Sequence, residues 1–439
     1  MRHPIFLPAL SLVRRSIGHV VVASLVLTAC RDVIDPVAPT SPVASPNQSE
    51  GRGFAHRLYA IGTSVSAGTC SDGNVARCQQ NSWVAQIIRA MHREPILPLI
   101  QAPGCKSPIE APLILFRRES GEPLTTADAD LSCASHEPGV TLPTQVLAVP
   151  GALTHEALLQ TPDARTDPYG RRLYHLILPP FESQVSALED TNPKFVTVEL
   201  GLNDFIGVAR DGMLVPGTNV VPFAFWSNAY NQILDRVGAV ADQVLLVGLG
   251  SDISKLNALR LGSELWADRA AFLSAFNVDV SANCEFSPNM VVVPFVVPTA
   301  VGTGLFLRNN GIPIAASLSC TEGASNAIDR ILTPDEVAAG NVLMNAMNAH
   351  ILAQATLRGY AFMDLESVLS SPKGTFNVVS LMTSGAPYGP NISFDGFHPT
   401  AAGQTLIAQT ALQAIEARYH FGLDDVILSL SHSPPIRNR

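Results

Sequence analysis

A serine stands where an apolar stretch of the chain gives way to small residues. Residues 58–68 read LYAIGTSVSAG, so an apolar strand runs directly into a turn that carries Ser64. Ligands bind at the carboxyl ends of the strands in an open α/β sheet, and a serine on a tight turn at that edge exposes its hydroxyl. Small residues after a strand also form ordinary turns. This stretch alone therefore leaves two interpretations, a nucleophile or a simple turn.

Three later blocks of glycine and polar residues also follow strand-like runs. The first ends at Gly151, the second reads Gly-Leu-Asn-Asp at residues 201–204, and the third places Asp395 three residues before His398. Each block has a structural alternative when taken singly, because the second could cap a helix, Asp395 could belong to a turn and His398 could lie on the surface. Their order and their places at strand ends favour one common site.

Together the four blocks resemble the SGNH (GDSL) hydrolase family over about residues 57–417. The four residues that name the family correspond to Ser64, Gly151, Asn203 and His398, and the family's acid corresponds to Asp395. The resemblance implies an α/β fold of the flavodoxin-like kind, a three-layer α/β/α sandwich with a mostly parallel five-stranded sheet and loop insertions. It also implies an enzyme that hydrolyses ester bonds without a cofactor or a metal.

The chemistry implied by this resemblance needs each block for a separate reason. A serine hydroxyl is a poor nucleophile at neutral pH, so His398 would remove its proton while Asp395 orients the imidazole and stabilises its charged form. The attack creates an oxyanion. The main-chain N–H groups of Ser64 and Gly151 and the side-chain amide of Asn203 would donate hydrogen bonds to that oxyanion.

The first block departs from the family pattern at Thr63, where the family has an aspartate. Ser64 and Gly68 stand where the family pattern has them. Because Thr63 lies beside the nucleophile and outside the proton path, the sequence predicts that Thr63→Asp leaves activity within about tenfold.

Three functions fit this pattern. The first is a serine esterase or lipase that forms an acyl-enzyme on a small-molecule or lipid ester, and the second is a carbohydrate O-deacetylase of the same fold. The third is a non-catalytic surface lipoprotein that retains the fold. A conventional α/β-hydrolase is disfavoured because Ser66 takes the place of the second glycine of Gly-x-Ser-x-Gly. Apolar loops and membrane tethering favour the first function.

The N-terminal region is typical of an exported lipoprotein. Residues 1–29 begin with basic residues and continue with an apolar run too short to span a bilayer comfortably, which indicates a signal peptide. Leu27, Thr28 and Ala29 precede Cys30 in the pattern of a lipobox, so we expect acylation at Cys30; an ordinary signal peptide that happens to precede a cysteine is the alternative. Acyl chains would then anchor the protein to a membrane, which we expect to be the outer one in a bacterium with two membranes.

Composition limits the partners of the mature chain. Hydrophobic residues make up 47% of the sequence and charged residues 15%, and the net charge is −9. Such a chain can build a large core, and it lacks the clustered basic residues that a nucleic-acid partner requires. The sequence does not indicate an oligomeric state. Six cysteines remain after Cys30, and export favours local disulfides among the possible pairings, namely Cys70–Cys78, Cys105–Cys133 and Cys284–Cys320.

The elements alternate between apolar strands and amphipathic helices, which predicts a parallel sheet covered by helices. Residues 30–53 form a proline- and serine-rich tether. Residues 54–420 form the hydrolase domain with an insertion at about 252–329, and residues 421–439 form a tail. Strands are predicted at residues 56–61, 144–149, 195–200, 243–248, 290–297 and 360–365. Helices are predicted at residues 81–91, 181–188, 227–240, from Thr333 to Gly359, and 400–418.

Overall fold

The computed structural model describes residues 53–323, 328–369 and 372–432. The predicted signal peptide, the acylation site at Cys30, the tether up to residue 52 and the last seven residues of the predicted tail lie outside these ranges. In the described part of the chain, no helix is both long and apolar enough to span a bilayer.

Strands and helices alternate along most of the described chain. The strands are β1 (Leu58–Gly62), β2 (Phe195–Glu199), β3 (Gln243–Gly248), β4 (Leu259–Leu261), β5 (Val278–Val280), β6 (Met290–Val292), β7 (Ala316–Leu318), β8 (Ile331–Leu332) and β9 (Ala361–Asp364). The helices are α1 (Ser64–Ala67), α2 (Ala76–Gln79), α3 (Trp83–Ala90), α4 (Thr154–Leu159), α5 (Pro168–His175), α6 (Gln184–Glu189), α7 (Leu202–Asp211), α8 (Phe223–Val240), α9 (Gly262–Ala267), α10 (Arg269–Phe276), α11 (Val293–Asn309), α12 (Pro334–Arg358), α13 (Glu366–Leu369), α14 (Val378–Thr383), α15 (Ala401–Tyr419) and α16 (Asp424–His432).

The main sheet is parallel and has the order β1-β2-β3-β9. A fifth segment lies on the free side of β1, where Ala60 N donates to Gln145 O at 2.8 Å and Leu147 N donates to Ala60 O at 2.8 Å. This segment is the predicted strand at residues 144–149, which meets β1 through a parallel bridge between Ala60 and Val146 rather than as a full strand. With it, the strand order is that of a flavodoxin-like sheet. The predicted α/β fold is confirmed.

Both faces of this sheet are buried, because its strands are apolar on both sides. Leu58, Phe195 and Leu245 belong to the hydrophobic core on one face, which α3 and α15 cover. Ile61 belongs to the core on the other face, together with the strand residues whose side chains point to that face. The helices α8 and α12 cover this second core. The sheet therefore lies between two helical layers, and the carboxyl ends of its strands share one edge.

The insertion differs from its sequence prediction. The apolar run at residues 290–297 is a strand only over Met290–Val292, which pairs antiparallel with β4 and β8 in a separate small sheet. The rest of the run begins α11, with Pro294 in its first turn. Proline is well accommodated at a helix start, and a short apolar run cannot be assigned to strand or helix from its periodicity alone.

The cysteines pair as the sequence predicts, in the bonds Cys70–Cys78, Cys105–Cys133 and Cys284–Cys320. The helix predicted from the capping pattern at Thr333 is also present, because Thr333 N donates to Glu336 Oε2 at 2.9 Å and Gly359 ends the helix at a φ of 69°. The region assigned to a tail contains α16, where Val426 and Leu430 are buried.

Candidate active site

The turn that carries Ser64 lies at the carboxyl end of β1. Ser64 is the first residue of α1, and Gly68 ends that helix in the left-handed region at a φ of 78°. Gly62 comes so close to β2 that a Cβ atom there would lie 2.8 Å from Glu199 O. The side chain of Gln184, fully buried on α6, accepts a hydrogen bond from Gly62 N at 2.8 Å and donates one to Gly62 O at 3.0 Å. The backbone before the serine is thus fixed from two sides.

A buried carboxylate holds the turn itself. Glu199 ends β2 and accepts hydrogen bonds from Thr63 N at 2.9 Å, Thr63 Oγ1 at 2.7 Å and Ser66 N at 3.2 Å. Burial raises the pKa of Glu199, and these hydrogen bonds only partly offset the increase. Thr63 is fully buried. Its hydroxyl is a donor to this carboxylate, which is why threonine fits at a position where the family has aspartate.

This contact predicts a cost in stability for Thr63→Asp, whatever its effect on activity. The substitution would place a second carboxylate against the buried Glu199, so we expect the free energy of unfolding to fall by about 3 to 5 kcal/mol. Urea denaturation measures the loss. Thr63→Ser, which keeps the hydroxyl donor, is the control. Combining Thr63→Asp with Glu199→Gln should restore most of the stability, and a Thr63→Asp protein as stable as the parent would contradict the assigned contact.

A second buried amide connects the serine helix to the C-terminal part of the chain. Gln404 on α15 donates from Nε2 to Val65 O at 3.0 Å and accepts from Trp83 N at 2.9 Å through Oε1. It is almost fully buried. One side chain therefore joins α1, the start of α3 and the helix that follows His398.

The two other predicted oxyanion donors lie on neighbouring segments, Gly151 in a loop and Asn203 at the start of a helix. Gly151 has a φ of 81°, in the region that favours glycine, and no atom lies within 4 Å of the position that a Cβ would take. Asn203 is in the first turn of α7, and its Nδ2 donates to Ala152 O at 3.0 Å. Because an amide nitrogen carries two hydrogens, this bond orients Asn203 and leaves the second hydrogen for a substrate oxygen.

The residue after Asn203 fixes the loop that carries Gly151. Asp204 is buried and accepts hydrogen bonds from Thr154 N at 3.0 Å and Thr154 Oγ1 at 2.7 Å. Burial raises the pKa of Asp204 to about 7 although the Thr154 hydrogen bonds lower it. The Gly-x-Asn-Asp block thus supplies one residue that faces the pocket and one that positions the neighbouring loop.

We expect Asn203→Ala to lower kcat by about two to three orders of magnitude with little change in KM, because an oxyanion donor acts mainly after charge has developed. Steady-state hydrolysis of a short-chain activated ester measures both constants. Asn228→Ala, on the exposed surface of α8, is the control and should match the parent. Full kcat in a folded Asn203→Ala protein would remove Asn203 from the oxyanion hole.

His398 and Asp395 form a direct pair. His398 Nδ1 lies 2.8 Å from Asp395 Oδ2, and the main-chain N–H groups of Phe397 and His398 both donate to Asp395 Oδ1 at 2.8 Å. The side chain of Asp395 is 9% exposed and that of His398 is 20% exposed. The carboxylate is therefore held as an acceptor, while the second nitrogen of the ring remains available for proton transfer.

A turn closed by a disulfide supports this pair. Ser71 and Asp72 have φ values of 48° and 59° in the turn that begins at Cys70 and precedes α2. Two successive N–H groups of this turn donate to the segment that carries the acid: Ser71 N donates to Ser393 Oγ at 2.8 Å, and Asp72 N donates to Asp395 Oδ2 itself. The bond Cys70–Cys78 joins this turn to α2. The turn therefore contacts Asp395, the predicted acid, through its main chain.

Charges around His398 set its titration. Burial lowers the pKa of His398, but the charge and hydrogen bond of Asp395 and the charge of Asp72 outweigh it, so the pKa is raised. Lys106 acts in the lowering direction. The pKa of Asp395 is lowered: burial raises it, and the charge and hydrogen bond of His398 outweigh that effect.

A base must be neutral to accept a proton, so we expect kcat/KM to fall as pH decreases through the raised pKa of His398. Asp72→Asn removes a charge that raises this pKa and keeps the main-chain N–H, so the acidic limb of the pH profile should move to lower pH. Asp128→Asn, which alters the same polar cluster through Lys106, should leave the limb in place. Identical profiles for parent and Asp72→Asn would contradict the electrostatic assignment.

One pocket of about 420 Å³ is lined by all five predicted site residues, Ser64, Gly151, Asn203, Asp395 and His398. Part of its lining is a polar cluster, in which Lys106 Nζ lies 2.8 Å from Asp72 and 3.2 Å from Asp128. Most of the remaining lining is apolar, including Leu202, Ile206, Leu256, Phe295 and Phe397. The pocket can therefore hold a molecule with a polar end and an apolar end.

The sequence did not predict the role of several residues that hold the candidate site in place. They are Glu199, Gln184 and Gln404 around the serine turn, and Asp72 beside the acid. Glu199 carried a usable signal, since a carboxylate at the end of an otherwise apolar strand must be buried with hydrogen-bonding partners. The two glutamines and Asp72 lie in ordinary helix and turn contexts and carried none.

Comparison with known proteins yields only distant likenesses, among solved structures. No family model matches the sequence, and no curated protein is similar to it. Axe2, an acetylxylan esterase from Geobacillus stearothermophilus, is 10% identical, with 82% of this chain and 93% of that chain covered and a TM-score of 0.33. A catalytic mutant of the same esterase is 8% identical, with 87% and 96% covered and a TM-score of 0.34. The fold assignment given above rests on the sheet itself.

Proposed function

We propose that this chain is a serine esterase that cleaves carboxylic esters through Ser64, His398 and Asp395, in the manner of the SGNH hydrolases that its sequence blocks resemble. The observation that carries the proposal is that a hydrogen-bonded His–Asp pair, a serine at a strand end and two separate oxyanion donors line the same pocket. These residues come from four segments that are far apart in sequence, so their meeting at one pocket is unlike a chance surface cluster.

The reaction proceeds in two halves. Ser64 Oγ attacks the ester carbonyl carbon while His398 takes the hydroxyl proton, and the carbonyl oxygen becomes an oxyanion that Gly151 N, Ser64 N and Asn203 Nδ2 stabilise. As the carbon–oxygen bond to the alcohol breaks, the imidazolium returns its proton to the departing alcohol. Water then attacks the acyl-enzyme with His398 again as base, which releases the acid and restores the Ser64 hydroxyl.

The lining of the pocket supports an apolar acyl group, since most of its walls are aliphatic or aromatic. One observation favours a second candidate, a carbohydrate O-deacetylase. The polar cluster of Asp72, Asn74, Lys106, Asp128 and Tyr169 supplies the carboxylate, amide, ammonium and phenol groups that bind sugar hydroxyls. The esterase and the deacetylase share the chemical step. They differ in whether the protein selects the acyl group or the alcohol of the ester.

A fluorophosphonate probe tests the shared step. We expect stoichiometric labelling of Ser64, located by peptide mass spectrometry, together with hydrolysis of an activated acetate or butyrate ester. Parallel assays on acetylated xylooligosaccharides and on simple acyl esters distinguish the two candidates. A folded protein that neither reacts with the probe nor turns over any of these esters would favour the non-catalytic lipoprotein.

A further inference from the structure

A second cavity adjoins the catalytic pocket. It has a volume of about 590 Å³ and runs beside α11, with β7 and the loop at residues 124–125 as its other boundaries. We call it the outer groove. Leu124, Pro294, Phe295 and Pro298 line both the outer groove and the catalytic pocket. The two spaces are therefore neighbours that share one apolar wall.

Phe295 stands at the junction between them. Its ring centroid lies 6.2 Å from that of Phe397, the residue before His398, and the guanidinium of Arg330 lies 4.6 Å from the Phe295 ring. Arg330 is in turn bonded to Asp211 at 2.9 Å. Contacts on both sides hold the ring against Phe397 at the wall that the two spaces share, where an apolar chain leaving the pocket would pass.

The two threonines that α11 contributes to the outer groove already use their hydroxyl donors. Thr299 Oγ1 donates to Phe295 O at 2.7 Å, and Thr303 Oγ1 donates to Thr299 O at 2.9 Å. Their hydroxyl donors are thus used within the helix. A methylene chain lying along this face would displace water without depriving these hydroxyls of their partners.

We propose that the outer groove binds the distal part of the substrate's acyl chain, so that the enzyme prefers esters of medium-length acids. The inference rests on the proposed function, because it assigns an extension to the same catalytic pocket. The shared lining residues argue for this occupant: an acyl group attached to Ser64 would extend past Phe295, which lines both spaces. An acetyl group would leave this space empty.

The test is a series of p-nitrophenyl esters from acetate to dodecanoate, each below its micellar concentration. For the parent, we expect kcat/KM to rise about two- to threefold per added methylene, below the full value for complete burial because the groove is partly open. Thr299→Trp fills the outer groove without lining the catalytic pocket. It should lower kcat/KM for octanoate and decanoate by at least about tenfold and leave acetate within about twofold.

Thr356→Trp is the matched control, because Thr356 is also an exposed helical threonine whose hydroxyl donates to the carbonyl four residues earlier. It should reproduce the parent profile. If Thr299→Trp and Thr356→Trp give the same profile while acetate is hydrolysed, the groove assignment is wrong and the esterase proposal stands. A parent profile that is highest at acetate would also overturn the groove and favour sugar acetates. Absence of hydrolysis at every length would instead overturn the proposed function.

Discussion

Ser64→Ala and His398→Ala should each lower kcat by about five to six orders of magnitude while the protein stays folded. The nucleophile and its base act as one unit, so removing either leaves only binding and the oxyanion donors. Both side chains line the pocket. Within the part of the chain that the structure describes, truncating them removes one side-chain hydrogen bond, that of His398 to Asp395. Steady-state hydrolysis of an activated ester measures the loss, and circular dichroism checks folding.

Ser66→Ala is the matched control for the nucleophile. Ser66 lies two residues further along α1, is fully buried and does not line the pocket. Its substitution should leave kcat near the parental value. A folded Ser64→Ala protein with near-parental activity would overturn the mechanism, whereas equal losses in Ser64→Ala and Ser66→Ala would point to damage of the turn instead of loss of the nucleophile.

Asp395→Asn should lower kcat by about four orders of magnitude. The carboxylate accepts hydrogen bonds from His398 Nδ1, from its own loop and from Asp72 N. An amide at this position places an N–H₂ group against some of those donors and favours the wrong tautomer of the imidazole. It also removes the charge that raises the pKa of His398, so the residual activity should show an acidic limb at lower pH than the parent.

Asp204→Asn is the control for Asp395→Asn. Asp204 is also a buried carboxylate that accepts a main-chain N–H, but its partner is Thr154 and not the histidine. We expect a far smaller loss of kcat and an unchanged acidic limb. Equal losses for the two substitutions would mean that Asp395 acts only by holding its loop, and the triad assignment would then fail.

The main sheet was predictable because its strands carry their own signal. Residues 243–248 were predicted and observed with the same bounds, and the other central strands differ by one or two residues at their ends. Strands buried on both faces read as apolar runs whatever lies around them. Reliance on apolar runs also explains why the strand predicted at residues 290–297 is too long. An apolar run that begins as a strand and continues as a helix looks uniform in sequence.

The residues of the candidate site could be predicted where the proposed chemistry requires a particular residue type. They could not be predicted where packing between distant segments determines the contact. Serine, histidine and aspartate in such short blocks are few enough to be compared with a known pattern. The expectation that the third block follows a strand is wrong, because Asp395 and His398 lie in the loop between α14 and α15. The contact between Thr63 and Glu199 depends on two strand ends that are brought together only by the register of β1 against β2, in which Gly62 lies opposite Glu199. No local pattern encodes that register, so the role of Thr63 emerged from the structure alone.

The hydrogen bonds of the Gln404 side chain have a consequence for the synthesis and folding of the protein. This side chain joins the first catalytic segment of the domain to the last, and both of its partners lie more than 300 positions earlier in the chain. Synthesis delivers Ser64 long before His398, so a chain that stops between them lacks the base that the proposed mechanism requires. If that mechanism holds, hydrolytic activity requires a chain that extends through Gln404 and has folded around it.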